Sequence, residues 1–287
     1  MPKFRIPTFT CRQGLAVVLA ALLLLALVML GGRQSAEAKP ERILSLAPSI
    51  TEMLYALGLG DRVVGVTSYC NYPPAAAKKP RVGAALELNE ELVIALRPTL
   101  ILAAEGDAAR RDRLARLTGA TVVLIETRHV KDIWKNMAEI GALTSSEARA
   151  RAVVGDLQKK LAAKAASFQA RKLNPSVFYM VWDAPLMTAG PESYLHDLIG
   201  LAGGKNIVST RTGGAYPAYS TEALLAANPQ VILGPENMAS GLQALSRRYP
   251  HLQAVRSRRV RTLPDDLISR PGPRVVEALD AVGQAMR

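Results

Sequence analysis

The chain has 287 residues, 49% hydrophobic and 21% charged, a globular composition with room for one large domain or two lobes. Aromatics are only 5%, so any sizeable apolar pocket must be built mostly from Leu, Val, Ala and Met. The formal charge of +12 favours anionic partners or an anionic membrane surface, but no nucleic-acid-reading motif accompanies it, and nucleic acid is not an expected partner.

The first segment, "MPKFRIPTFTCRQG", is basic, and "LAVVLAALLLLALVML" from Leu15 to Leu30 is apolar throughout. "GGRQSAEAKPE" then places Ala36 and Ala38 in an A-x-A pattern. That is the order of a secretory signal peptide, so residues 1–38 are expected to be a leader cut after Ala38. Left uncut, the uncharged interval between Arg12 and Arg33 would span a bilayer and anchor the protein. No Cys stands at the cleavage point to carry a lipid. Cys11 leaves with the leader, and Cys70 has no partner for an internal disulfide.

From Arg42 strands and helices alternate. "RILSLA" reads as a strand and "PSITEMLYALGLG" as a helix, with Ser49 and Glu52 spaced as a capping box and Gly58 and Gly60 at its exit. "VVGVTS" is a strand, "LNEELVIALR" a helix capped by Asn89 and ended before Pro98, and "TLILAA" a strand. "RRDRLARLTG" and "TVVLIE" give a further helix and strand. This alternation predicts parallel β-α-β units.

The segment from Ser145 to Lys172 has no Pro and a single Gly. Ser145 or Ser146 can cap it, and Val153, Leu157, Leu161 and Ala165 form an i, i+4 stripe, which predicts one long helix. A second α/β run follows, with strands in "NPSVFYMVW", "QVILG" and "RVRTLP" and helices in "SYLHDLIGLAGG", "STEALLAANP" and "GPRVVEALDAVGQAMR". The expected organisation is an N-terminal α/β lobe over 39–144, a linking helix over 145–173 and a C-terminal α/β lobe over 174–287.

"NEELVIALRPTLIL" (Asn89–Leu102) is echoed by "STEALLAANPQVIL" (Ser220–Leu233) at a constant offset of 131 residues. Glu91/Glu222, Ala95/Ala226, Pro98/Pro229 and Ile101/Ile232 all coincide. The echo reads either as a structural repeat, one unit per lobe, or as two capped helices with acids favoured in their first turn.

Catalytic signatures are missing: there is no G-x-S-x-G elbow, no P-loop and no G-x-G-x-x-G after a strand, so an enzyme is not expected. His129, His196 and His251 are far apart and none sits in a close-spaced metal pattern, so no metal site is expected.

"RILSLAPSITEMLYALGLGDRVVGVTSYCNYPPAA", "LNEELVIALRPTLIL", "AGPESYLHDLIGLAGGKNIV", "YSTEALLAANPQVIL" and "SRPGPRVVEAL" resemble the periplasmic substrate-binding proteins of vitamin B12, haem and ferric-siderophore ABC importers. The likeness runs in order from Arg42 to Arg287 and leans towards the cobalamin-binding members through "GVTSYCNYPP". It implies two lobes joined by one long helix, with the ligand in the cleft between them. It implies further a monomer exported to the periplasm, working with permease and ATPase subunits and carrying cobalamin as a transported ligand, not as a cofactor.

By position, Tyr72, Tyr216, Asp266 and Arg270 match ligand-lining places, with Tyr69 and Met187 as further wall. Tyrosine rings would lie against a corrin, and Asp266 and Arg270 would hydrogen-bond its amide arms. Glu91 and Glu222 match the carboxylates that dock each lobe onto permease arginines. Small residues, Ala85 and Ala104, stand where large aromatics are expected, which keeps haem and ferric siderophores open as ligands. A membrane-anchored scaffold that binds protein is a further alternative.

Overall fold

The computed structural model describes residues 42–84, 87–104, 108–208 and 213–287, so the expected leader over 1–38 and Ala85 lie outside the described residues. Short apolar runs build two separate sheets. In the first half, β1 (Ile43–Ser45), α1 (Pro48–Ala56) and β2 (Val63–Val66) are followed by a small antiparallel pair, β3 (Gly83–Ala84) and β4 (Glu87–Leu88). Then come α2 (Glu90–Ala95), β5 (Leu100–Ala104), α3 (Ala108–Thr118), β6 (Thr121–Ile125) and α4 (Val130–Leu143). The main strands lie in the order β2-β1-β5-β6 and are all parallel, as β-α-β connections require.

The long helix α5 (Glu147–Gln169) leads into the second half. There β7 (Ser176–Asp183), β8 (Leu186–Thr188), α6 (Tyr194–Leu201), β9 (Lys205–Asn206) and α7 (Thr221–Ala227) precede β10 (Val231–Pro235). Next are α8 (Ala239–Arg248), α9 (Gln253–Arg256), β11 (Val260–Leu263), α10 (Asp265–Ile268) and α11 (Val275–Ala285). β11, β10 and β7 are parallel neighbours; β9 joins the start of β7 in parallel and β8 its end in antiparallel. The molecule is thus two α/β lobes with mostly parallel sheets, joined by one long helix.

Successive strand residues face opposite sides, and each sheet uses both. Leu44 and Ile101 face an outer cluster with Val93 and Leu114; Phe178, Met180 and Ile232 do the same in the second half with Leu242 and Leu245. Their neighbours Ile43, Leu100, Leu102, Val177, Tyr179, Val231 and Leu233 all enter one continuous core shared by both halves. Leu161, Ala165 and Phe168 of α5 bury into that core, with Val153 and Leu157 partly buried beside it, so the expected stripe is the packed face. The helix is shorter than Ser145–Lys172 because Ser145 and Lys172 both adopt left-handed backbone, at φ 53° and 51°. Its 23 residues span about 35 Å. α5 lies against α4 and α11, and Gly283 makes the latter approach close: a Cβ there would stand 2.2 Å from Cζ of Phe168.

One local expectation fails. Pro48 occupies the start of α1, so Ala47 is the N-cap and no side chain caps the helix; the Ser49–Glu52 box does not form. Glu52 is buried and turned to arginines of the other half instead. Among the described residues no helix is long and apolar enough to cross a membrane.

Candidate functional site

Parallel strands direct their carboxyl ends, and the loops that leave them, to one edge of a sheet, where α/β proteins place ligands. Here the loops after β1 (Leu46–Ser49) and β2 (Thr67, Tyr69), the end of β5 (Ala104) and the end of β6 (Ile125–Arg128) form one wall of a cleft of about 720 Å³. The opposite wall is Ala215, Tyr216 and Ser269–Pro271 from the second half. Tyr69 and Tyr216 are both exposed large side chains, so the two walls each offer an aromatic face. Glu126 and Arg128 pair with each other on the first wall.

Of the residues expected in a ligand pocket, Tyr69, Tyr216 and Arg270 line this cleft, and Ala104 lines it as a small residue. Tyr72, Met187 and Asp266 do not. The Tyr72 ring lies under the Arg274 guanidinium, 4.3 Å from centroid to Cζ. Met187 sits in β8 opposite Trp182. Asp266 is bonded to Arg270 and accepts from Nδ2 of Asn71 at 2.6 Å.

Arg270 is only 7% exposed and is held from both halves. Besides Asp266, its guanidinium donates to Oδ1 of Asn71 at 2.6 Å and the carbonyl of Tyr69 at 3.1 Å, with Oε1 of Glu52 at 3.4 Å. Arg274 completes the cluster, donating from Nε and Nη2 to Glu52 at 2.8 and 2.6 Å and from Nη2 to the carbonyl of Asp266 at 2.8 Å. Burial works to lower the Arg274 pKa, but the hydrogen bond and charge of Glu52 raise it by more. Glu52, Asn71 and Arg274 therefore fix the cleft wall, although no ligand motif singled them out. The available signal was "RPGPR", two guanidiniums set on a rigid Pro-Gly-Pro turn that need a carboxylate.

Other links join the same halves. Asp197 of α6 accepts from the backbone N–H of Val130 at 2.9 Å and lies 3.2 Å from Nδ1 of His129. Cys70 is fully buried, 3.1 Å from the hydroxyls of both Thr51 and Thr67. A side pocket of about 240 Å³ opens beside Tyr216, walled by Tyr179, Trp182 and Tyr194.

The repeated segments adopt the same local structure. Asn89 and Ser220 each cap a short helix by accepting from the N–H three residues on, at 2.9 and 3.1 Å. Glu91 and Glu222 occupy the same first-turn place, both exposed, and β5 and β10 begin 131 residues apart.

The family described as periplasmic binding protein matches residues 43–267. An uncharacterized ABC transporter substrate-binding lipoprotein of Bacillus subtilis is 32% identical over 262 residues, covering 86% of this chain and 80% of that one. The vitamin B12-binding protein of Vibrio cholerae is 30% identical over 249 residues, covering 85% and 90%. The crystal structure of the periplasmic vitamin B12 binding protein from that organism is similar with a TM-score of 0.73 at 29% identity, over 86% of this chain and 97% of that one. A periplasmic haem-binding protein from Pseudomonas aeruginosa gives a TM-score of 0.74 at 26% identity, over 86% and 92%. By sequence and by overall structural similarity, the chain belongs to the periplasmic binding protein family.

Proposed function

We propose that the protein is the exported substrate-binding component of an ABC importer, and that it carries cobalamin or a related corrinoid. The observation that carries this reading is the cleft itself. Its 720 Å³ falls within the ordinary range for small-molecule sites, and its walls come from both halves of the chain. Tyr69 and Tyr216 offer flat apolar faces to a planar macrocycle, and Arg270, held from both halves, stiffens the wall beside them. The relatives named vitamin B12-binding proteins support the same ligand.

In this reading residues 1–38 are the export leader. The liganded form docks onto the permease through Glu91 and Glu222, one carboxylate from each half, and ATP hydrolysis in the partner subunits drives release. The continuous core across the two halves holds closure to small angles. Haem is the second reading. It is favoured by the haem-binding relative.

Titrating cobalamin, haem and a ferric siderophore separately into the purified protein, followed by calorimetry, decides between them. Saturable cobalamin binding at one site per chain supports the proposal. Tight haem binding without saturable cobalamin binding replaces it with the second reading.

A further inference from the structure

Half of the chain's formal charge of +12 sits in one short stretch. Ala239–Pro264 holds six arginines (Arg247, Arg248, Arg256, Arg258, Arg259 and Arg261) and no Asp, Glu or Lys. It runs through α8, α9 and β11 and the turns between them. Five of the six are exposed, and Arg259 is half-buried. Among the described residues no carboxylate pairs with any of them. Six like charges repel one another, and an anionic partner that neutralises them gains from each.

The fold brings the ends of the stretch together. α8 and β11 line a groove of about 450 Å³, with Arg247 supplied by the helix and Arg261 by the strand. Gln243 and Thr262 add uncharged polar groups to it. Between these elements Arg256, Arg258 and Arg259 crowd one tight turn. There Arg258 takes left-handed backbone at φ 55°, and the N–H of Arg259 donates to the carbonyl of Ala254 at 2.7 Å.

β11 is the edge strand of its sheet, where a charged side chain deters pairing with another chain. Edge protection accounts for Arg261 but not for the five arginines outside the strand. A docked protein would be anchored by large apolar side chains at the centre of the contact. Among the described residues every exposed large hydrophobic side chain lies outside Ala239–Pro264. The surface therefore suits a partner recognised by charge alone, and forked guanidinium donors match phosphate oxygens.

We propose that this arginine surface rests on an anionic bilayer, with Arg247 and Arg261 gripping phospholipid phosphates at the groove. The second half of the molecule then faces the membrane through α8, α9 and β11. The contact is independent of what fills the cleft.

The test uses the protein from Lys39 onward, which contains both sheets and the whole described core. It is sedimented with vesicles of equal parts phosphatidylglycerol and phosphatidylcholine, and with vesicles of phosphatidylcholine alone. Binding should require phosphatidylglycerol and weaken steeply with added salt. A guanidinium near the surface is worth about fivefold in affinity, so Arg247→Gln with Arg261→Gln should weaken binding roughly thirtyfold. Arg149→Gln with Arg151→Gln removes the same charge from α5 and should leave binding almost unchanged. All four side chains are exposed, so both double variants should unfold at the original temperature. Equal losses for the two pairs would reduce the attraction to total charge and overturn the assigned surface. Absence of phosphatidylglycerol-dependent binding would overturn it too. Should inorganic phosphate then bind in calorimetry and be lost in Arg247→Gln with Arg261→Gln, the groove would be a site for a free anion instead.

Discussion

Replacing Glu52 by Gln removes the negative charge from the centre of the buried cluster while keeping its shape. Glu52 is 3% exposed and is gripped by two nitrogens of Arg274, with Arg270 at a longer 3.4 Å. Arg270 loses little, since Asp266, Asn71 and the carbonyl of Tyr69 still hold it. Arg274 is the stranded group. It keeps the carbonyl of Asp266 and the ring of Tyr72, and its side chain is 18% exposed. Removing one partner of a buried pair costs about 3–5 kcal/mol, and this residual contact and hydration place the change near the lower end, about 3 kcal/mol. For a domain of this size each kcal/mol moves Tm by roughly 2–4 °C, so the variant should melt roughly 6–12 °C lower. Thermal unfolding followed by circular dichroism measures this directly. The double change Glu52→Leu with Arg274→Leu should regain much of the loss, because an apolar pair leaves no charge uncompensated. A Tm within about 2 °C of the original for Glu52→Gln would refute the assignment of Glu52 as the brace between the halves.

Glu91→Ala combined with Glu222→Ala should leave cobalamin affinity intact and weaken docking to the permease by about five- to thirtyfold, two exposed ion pairs being worth roughly 1–2 kcal/mol together; transport assays with the reconstituted importer read this, and unchanged uptake rejects the docking role. Gly283→Ala should destabilise by about 1–3 kcal/mol in denaturant titration despite the better helix propensity of Ala, since its methyl group meets Phe168, and Phe168→Leu should relieve the loss. Burial raises the pKa values of Tyr179 and Tyr194 above the ordinary 10.0. Their neutral forms stabilise the fold fully below pH 10, and that contribution drains away as the pH rises further, because the unfolded chain ionises first. Phenolate absorbance should thus show part of the eight tyrosines titrating only with unfolding; a single reversible step near pH 10 for all eight, with the fold intact, would contradict the burial.

Features with a local cause were legible in the sequence. Asn89 and Ser220 announce their helices through a bond three residues long, and β5 and β10 declare themselves by apolar runs behind Pro98 and Pro229. The stripe on α5 is likewise a matter of spacing alone. Glu52 shows the limit. Its spacing from Ser49 suited a local cap, but Pro48 moved the helix start, and the partners that claim the carboxylate lie 218 and 222 residues away. α4 was missed although Ile133, Met137 and Ile140 keep helical spacing, and α8 was missed with it. Tyr72 and Asp266, matched by position, meet Arg274 and Arg270 instead of lining the cleft, contacts that no local spacing announces.

The distance along the chain between Glu52 and its arginines also bears on how the molecule is made. Joining them closes a loop of more than two hundred residues, a contact that costs chain entropy early and repays it only when both sheets are in hand. β1 and α1 can pack against β2 and β5 before then, but the Glu52 carboxylate meets its arginines only when the segment that leads into the last helix is in place. Until then that buried carboxylate has no counter-charge, so the first half carries its own uncompensated electrostatic cost.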